Sequence, residues 1–226
     1  MMTCFRTTPA LSLVLFAVAA CATGSSAEHE KSAQVAIAAG TRTSGTDTSD
    51  NAQHAYTAAD IHFMGGMIAH HGQAIVMARW APSHGASPSI GTLAARIINA
   101  QQDEIAAMRK WLVDRHQPVP EAGAHGMMMK MNGVEHEMPM PGMLSESQLK
   151  QLDQARGKEF DRLFLTFMIQ HHRGAVTMVK DLFDTYGAAQ DITVFKLASD
   201  VNADQTTEIE RMQRMLASTI FEPATQ

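Results

Sequence analysis

The 226-residue chain carries 23 acidic and 18 basic residues for a formal net charge of −5, with 45% hydrophobic and 18% charged residues. That composition is globular, with room for one sizeable core or two small ones. No cluster of Lys and Arg supplies the positive face that a phosphate-backbone binder needs, which sets nucleic acid aside as a partner.

At the N-terminus, Arg6 precedes the apolar run LSLVLFAVAA from Leu11 to Ala20, too short to cross a bilayer as a helix. It reads as an export signal. Val18-Ala19-Ala20-Cys21 resembles a bacterial lipobox, in which the cysteine is lipid-modified and becomes the first mature residue; ordinary cleavage after a small residue fits the same stretch. Residues 1–21 are therefore assigned to a lipoprotein-type signal, and the expected location is the periplasm or cell envelope with an anchor at Cys21. The membrane is otherwise not expected as a partner. Cys4 lies in the segment to be removed, so the mature domain has no intramolecular disulfide and its core stands on packing. Residues 22–55, rich in Ala, Ser, Thr and Gly without sustained periodicity, read as a flexible tether.

From residue 56 a helical pattern begins, and it repeats. Phe63, Met67, His70, Ala74 and Met77 recur 101 residues later as Phe164, Met168, His171, Ala175 and Met178. Spacings of three and four put each set on one face of a helix. A second helix follows each of these: Leu93, Ile97, Gln101, Glu104, Ile105, Met108 and Leu112 match Leu197, Val201, Gln205, Glu208, Ile209, Met212 and Leu216 at an offset of 104. The changed offset is absorbed by the turn, where length varies most easily. Helices are predicted near 57–81, 88–115, 145–186 and 191–219, with a break near Gly157. Ser87-Pro88 marks a helix start, Ser145 with Gln148 forms a capping box between Leu144 and Leu149, and Gly187 suits a C-cap. The predicted fold is all-α: an up-down four-helix bundle over 56–222, made of two repeated hairpins with a long crossover between them.

Between the hairpins runs an unusually long crossover, 117–144, holding HGMMMKMNGVEHEMPMPGM from His125 to Met143. Seven of the chain's 17 methionines fall there. Pro139, Pro141, Gly126, Gly133 and Gly142 make the segment a poor helix and a poor strand, so the usual role of methionine as core filler does not explain it.

Thioether sulfur is a soft neutral ligand suited to Cu(I) or Ag(I), and imidazole suits copper among other borderline metals. The crossover offers His125, Met127, Met128, Met129, Met131, His136, Met138, Met140 and Met143. On the helices, Met67 with His71 and Met168 with His172 are one turn apart, so each pair can present one sulfur and one nitrogen. Met67 and Met77, about 15 Å apart along one helix by its rise per residue, can share an ion only through another helix. The competing reading is that the histidines are core polar groups, with Asp60, Asp161, Gln101, Gln205, Glu104 and Glu208 as partners. A Met-rich docking surface on a structural lipoprotein is a second alternative. A metal-dependent oxidase is a weaker one, because no Glu-x-x-His occurs. Nor does any nucleophile or phosphate-loop motif, and the chain is not expected to be an enzyme. Gly65 and Gly66, inside the first helix, are expected to permit close packing.

FMGGMIAHHGQAIVMA, MPGMLSESQLKQL and FDRLFLTFMIQHHRGAVTM together resemble a bacterial domain-of-unknown-function family, number 305, that includes periplasmic copper-binding proteins of the CopM type. The resemblance runs from about Tyr56 to the C-terminus. It implies an exported ferritin-like bundle that binds Cu(I), with Ag(I) as a second candidate, in copper tolerance or handling, and with a copper-handling protein as a candidate partner. Carried over by position, the implied ligands are Met67, His70, His71, Met77, Met168, His171, His172 and Met178, with Met138, Met140 and Met143 from the crossover. The Met127 to Met131 run is less characteristic of the family and rests on its chemistry alone.

Overall fold

A computed structural model describes residues 56–123, 126–131, 134–138 and 140–221. The signal segment, the lipobox at Cys21, the tether and His125 lie outside the described residues. Five helices and two strands follow in order: α1 (Ala58–Arg79), α2 (Pro88–Asp114), β1 (Met127–Met131), β2 (Val134–Met138), α3 (Glu146–Gln154), α4 (Gly157–Asp184) and α5 (Ile192–Phe221). Helices α1 and α2 form one hairpin, α4 and α5 the other, and the two meet through α1 and α4. This is the predicted helical bundle. Among the described residues no helix is long and apolar enough to cross a membrane.

Helix α1 opens with a full capping box, in which the Thr57 side chain accepts from the Asp60 N–H and Asp60 accepts from the Thr57 N–H at 2.6 Å. The same Asp60 carboxylate accepts from the Ala189 N–H at 2.7 Å, in the turn of the opposite hairpin. Its repeat counterpart, Asp161, accepts from the Ser87 N–H at 3.2 Å in the turn of the first hairpin. Each leading helix thus holds the other hairpin's turn with a buried Asp, which only an antiparallel α1–α4 crossing allows. Ser87 precedes Pro88 as predicted, but its hydroxyl makes no capping bond and instead pairs with the Ser89 hydroxyl at 3.1 Å, while its backbone N–H donates to Asp161.

The antiparallel crossing sorts the core. Met67 before the first histidine pair clusters with Ala175 after the second, and Ala74 clusters with Met168 in the same way. Met67, Met77 and Met168 have no exposed surface. Full burial of such a side chain contributes roughly 1.5–3 kcal/mol, so these three have a structural role whatever else they do.

The expected break near Gly157 is real: α3 ends at Gln154 and α4 starts at Gly157, whose φ of +56° is left-handed. The Ser145–Gln148 capping box forms, and Leu144 packs into the core beside Leu149. Gly187, at φ +78°, takes left-handed backbone as expected of a helix stop, two residues past the α4 cap at Thr185. The crossover departs from expectation. Met127–Met131 and Val134–Met138 pair as an antiparallel ribbon in which Met127 faces Met138 and Met129 faces His136. Its glycines and prolines do not interrupt either strand: Gly126, Pro139 and Pro141 flank the ribbon, and Asn132-Gly133 separates the strands with the residue pair that tight hairpins favour.

The crossover returns to the bundle through Met140-Pro141-Gly142-Met143, where the Met143 N–H donates to the Met140 carbonyl at 3.3 Å and Gly142 has φ +74°. Proline at the second position and a left-handed glycine at the third are the residues a type II turn requires. The turn lies directly on α4: a Cβ added to Gly174 would stand 1.9 Å from the Pro141 carbonyl oxygen. Gln73 fixes the next residue, donating to the Leu144 carbonyl at 3.1 Å and accepting from its N–H at 2.7 Å. We predict that Gly174→Ala destabilises by about 1–3 kcal/mol in urea unfolding, the usual cost of overpacking. Gly91→Ala, where an added Cβ meets nothing within 4 Å, should instead be neutral or stabilise by up to about 1 kcal/mol. Equal effects at the two positions would contradict the docking of this turn.

Candidate metal centre

Four histidines occupy the α1–α4 seam, all with no exposed surface: His70, His71, His171 and His172. The rings of His70 and His171 face each other across the seam, centroids 3.9 Å apart and planes 40° from parallel. His71 and His172 point the other way, toward the second helix of their own hairpins. His71 Nε2 lies 2.7 Å from Glu104 Oε2, and His172 Nε2 lies 2.9 Å from Glu208 Oε2. The core-polar reading of the sequence therefore finds its carboxylates in Glu104 and Glu208, while Asp60 and Asp161 serve the turns.

Because carboxylate and carbonyl oxygens only accept, these contacts fix which ring nitrogen donates. His71 and His172 each donate Nε2–H to a glutamate, and His70 donates Nε2–H to the Pro141 carbonyl at 2.9 Å. Nδ1 of all three has no hydrogen-bond partner in the structure, and neither ring nitrogen of His171 has one. The Gln101 amide and the Gln205 Oε1 are likewise buried without partners. Orphaned polar atoms at this density need an explanation, and a water or ion is the usual one. A carboxylate on one imidazole nitrogen with the other left open is also how proteins orient histidine toward a metal.

Burial holds the central pair neutral. The His70 pKa is lowered to about 3, first by desolvation and then by the neighbouring His71, with the Pro141 carbonyl opposing. His171 is held well below the ordinary histidine value, again first by desolvation and then by His70 and His172. The two hairpins are not equivalent around this layer. Glu208 has Arg96 at 3.6 Å, whereas the position matching Arg96 in the second hairpin is Asp200. Asp200 instead lines an acidic cleft of about 330 Å³ with Asp103, Glu104 and Asp204.

A second cluster lies a turn away along the same seam. Gly66 leaves a space bounded by Met140 Sδ and Met178 Cε, each 3.4 Å from where its Cβ would be. Met140, Met178, His62 and Asp181 line a cleft of about 180 Å³ that opens to solvent. The glycine expected to permit helix packing thus makes room for two methionines, one from the crossover and one from α4. Sequence reasoning missed His62, which lies outside the repeated pattern; its eight-residue distance from His70, little more than two helical turns, was the available signal.

The remaining candidates are placed as follows. Met67, Met77 and Met168 are enclosed in the apolar clusters, and Met143 is half-buried at the end of the crossover turn. Met127, Met128, Met129, Met131, His136 and Met138 lie on the ribbon, described through its backbone only. Among the described residues no three His, Cys, Asp or Glu side chains are arranged to surround one ion. Any closed coordination shell formed by them must draw on thioether sulfur or on movement of these groups.

A family model described as a domain of unknown function (DUF305) matches residues 60–216, which span both hairpins and the crossover. The chain belongs to the DUF305 family. Among solved DUF305 structures, one from Streptomyces coelicolor, provisionally described as secreted, is 25% identical with a TM-score of 0.59, over 74% of this chain and 98% of that one. CopM in its Cu(I)-bound form is 29% identical with a TM-score of 0.53, over 70% of this chain and 96% of CopM. The Cu(II)-bound form of CopM gives 30% and 0.54 over the same shares, and an Ag-bound form gives 29% and 0.51. No curated protein sequence matches the chain.

The depressed pKa values make a prediction for the metal-free protein. A histidine that resists protonation when folded but accepts it when unfolded destabilises the fold as pH drops below the unfolded value. Stability is therefore expected to be full above pH 6.5, the ordinary histidine value. It should fall below that with a slope approaching about 1.4 kcal/mol per pH unit for each of His70 and His171. His70→Gln should flatten the slope by about half when urea midpoints are compared from pH 7.5 to 5, and an unchanged slope would count against the assignment.

Proposed function

We propose that this DUF305 protein is an exported, non-enzymatic metal-binding protein that captures Cu(I), and also Ag(I), through methionine and histidine. The observation that carries the reading is the meeting of Met140 and Met178 over Gly66 beside His62. Two thioethers from separate segments, with an imidazole at the same cleft, form a donor set that suits a soft monovalent ion and suits zinc or magnesium poorly. The ribbon sequence, with Met127, Met128, Met129, Met131 and Met138, adds further soft donors. The buried histidine layer offers imidazole nitrogens on rings oriented by Glu104 and Glu208, and the Pro141 carbonyl of the crossover turn covers His70. The likeness to CopM, solved with Cu(I), Cu(II) and Ag, supports the same class of cargo.

Under this reading the signal segment directs export and Cys21 carries the lipid anchor. The tether then lets the bundle sample the space near the membrane, in sequestration or in delivery to a copper-handling protein.

The test is an anaerobic Cu(I) titration against a chromophoric chelator, repeated with Ag(I). Met140→Leu combined with Met178→Leu preserves apolar volume and removes both sulfurs. It should weaken one site at least tenfold while leaving the circular dichroism unchanged. His62→Ala should weaken the same site and leave the others. Chelator competition identical in all variants would refute the cleft site. No competition by any of them would refute metal capture and favour the crossover as an apolar docking surface.

A further inference from the structure

Among the described residues, the large apolar side chains that the fold leaves exposed gather at one end of the bundle. Val113 ends α2, Phe183 ends α4, Tyr186 stands in the α4–α5 turn at full exposure, and Ile192 and Phe195 start α5. The Phe183 and Phe195 rings are 5.7 Å apart, so the patch is continuous between the two helices. An apolar, aromatic group of this kind marks an interaction surface more often than an isolated exposed residue does.

The N-terminal segment enters at that same end. Asp60 is bonded to Ala189 in the α4–α5 turn. The Tyr56 ring packs edge-on against Trp111 at 5.4 Å, and the Arg115 guanidinium, paired with Asp191 at 2.6 Å, lies over both. Thirty-four residues, 22–55, separate Tyr56 from Cys21. As the tether that their composition predicts, a chain of that length has a root-mean-square span of roughly 30 Å. An anchor at Cys21 would therefore hold the aromatic end near the bilayer, at an effective concentration where weak partitioning becomes substantial occupancy.

We infer that this end of the bundle is a membrane-docking face that lies against the lipid interface when the chain is anchored. Phe, Tyr and Ile are the side chains that settle at the boundary between headgroups and acyl chains. Three flanking charge pairs, Lys110 with Asp114, Lys180 with Asp184 and Arg115 with Asp191, and the exposed Lys196 and Asp181 leave acidic and basic groups balanced around the patch, so it presents no strongly cationic rim that would require anionic lipid. Docking also gives the soft-donor cleft a location: Leu182 and Thr185, which line it, flank Phe183 in α4. The cleft would then open close to the bilayer surface, facing any membrane-embedded source or acceptor of the ion. The inference rests on the anchoring read from the lipobox, and its test separates the two.

Cys21 is the only cysteine of the chain from that position onward, so the mature chain can be coupled to a maleimide lipid in vesicles of zwitterionic phosphatidylcholine, independently of cellular acylation. Hydrogen exchange should then slow at least threefold in the peptide covering 183–196 and stay unchanged in 80–87 at the opposite end, compared with the same chain capped by a soluble thiol reagent. Tyr186→Ser with Phe195→Ser, both on exposed side chains, should abolish the protection without altering the fold. Equal exchange at both ends, or protection that persists in the double variant, would overturn the inference, the former leaving the patch to a protein partner. Mass spectrometry of Cys21 from cells tests the anchoring reading separately, since an unmodified cysteine there leaves the vesicle result standing.

Discussion

The structure depends on burying four imidazoles in one helix–helix seam. Helices α1 and α4 cross antiparallel at their repeated His-His pairs, and the crossing places His70 against His171 in the fully buried interior. A charged pair there would be prohibitively costly, so both rings are held neutral. The outward pair is accommodated differently, with Glu104 and Glu208 reaching in from α2 and α5. One repeated motif thus generates two chemical environments, an inner pair short of partners and an outer pair with one carboxylate each.

The same seam dictates what the crossover does. A chain that returned over α1 and α4 through ordinary residues would be lifted off by their side chains; at Gly72 and Gly174 there are none. A Cβ on Gly72 would stand 2.4 Å from the Gly123 backbone, and one on Gly174 would collide with Pro141. The crossover therefore lies close enough for the Pro141 carbonyl to accept from His70 and for the Leu144 backbone to pair with Gln73. It also delivers Met140 to the notch at Gly66. Glycine placement converts a long connection into a lid over the histidines and a supplier of sulfur to the neighbouring cleft.

Much of this was legible in the sequence because it is written twice. The repeated Phe, Met, His, Ala and Met positions fix the helix faces, and the paired offsets fix the hairpins, so the bundle follows from periodicity alone. What the repeat could not convey is how its copies differ in surroundings. Met77 and Met178 are equivalent in sequence, yet one is enclosed and the other lines an open cleft, because only α4 has Met140 beside it at that level. Asp60 and Asp161 read as histidine partners because they precede the pairs, whereas the antiparallel crossing carries them to opposite ends and makes them turn anchors. The ribbon was missed because its breaking residues were counted across the whole segment, when their positions at its ends and centre were the informative feature.

Pseudo-symmetry also explains why the site chemistry is better sought where the symmetry fails. The buried methionines and the Asp anchors, which obey the two-fold relation, each have a sufficient structural reason to exist. Those that break it do not: a glycine notch facing two thioethers, an exposed His62 outside the repeat, an Arg96 beside one glutamate but not the other. A duplicated hairpin needs none of these to fold. They lie along one edge of the α1–α4 seam and at the neighbouring α2–α5 face, so the features that folding does not explain are confined to two places on the bundle.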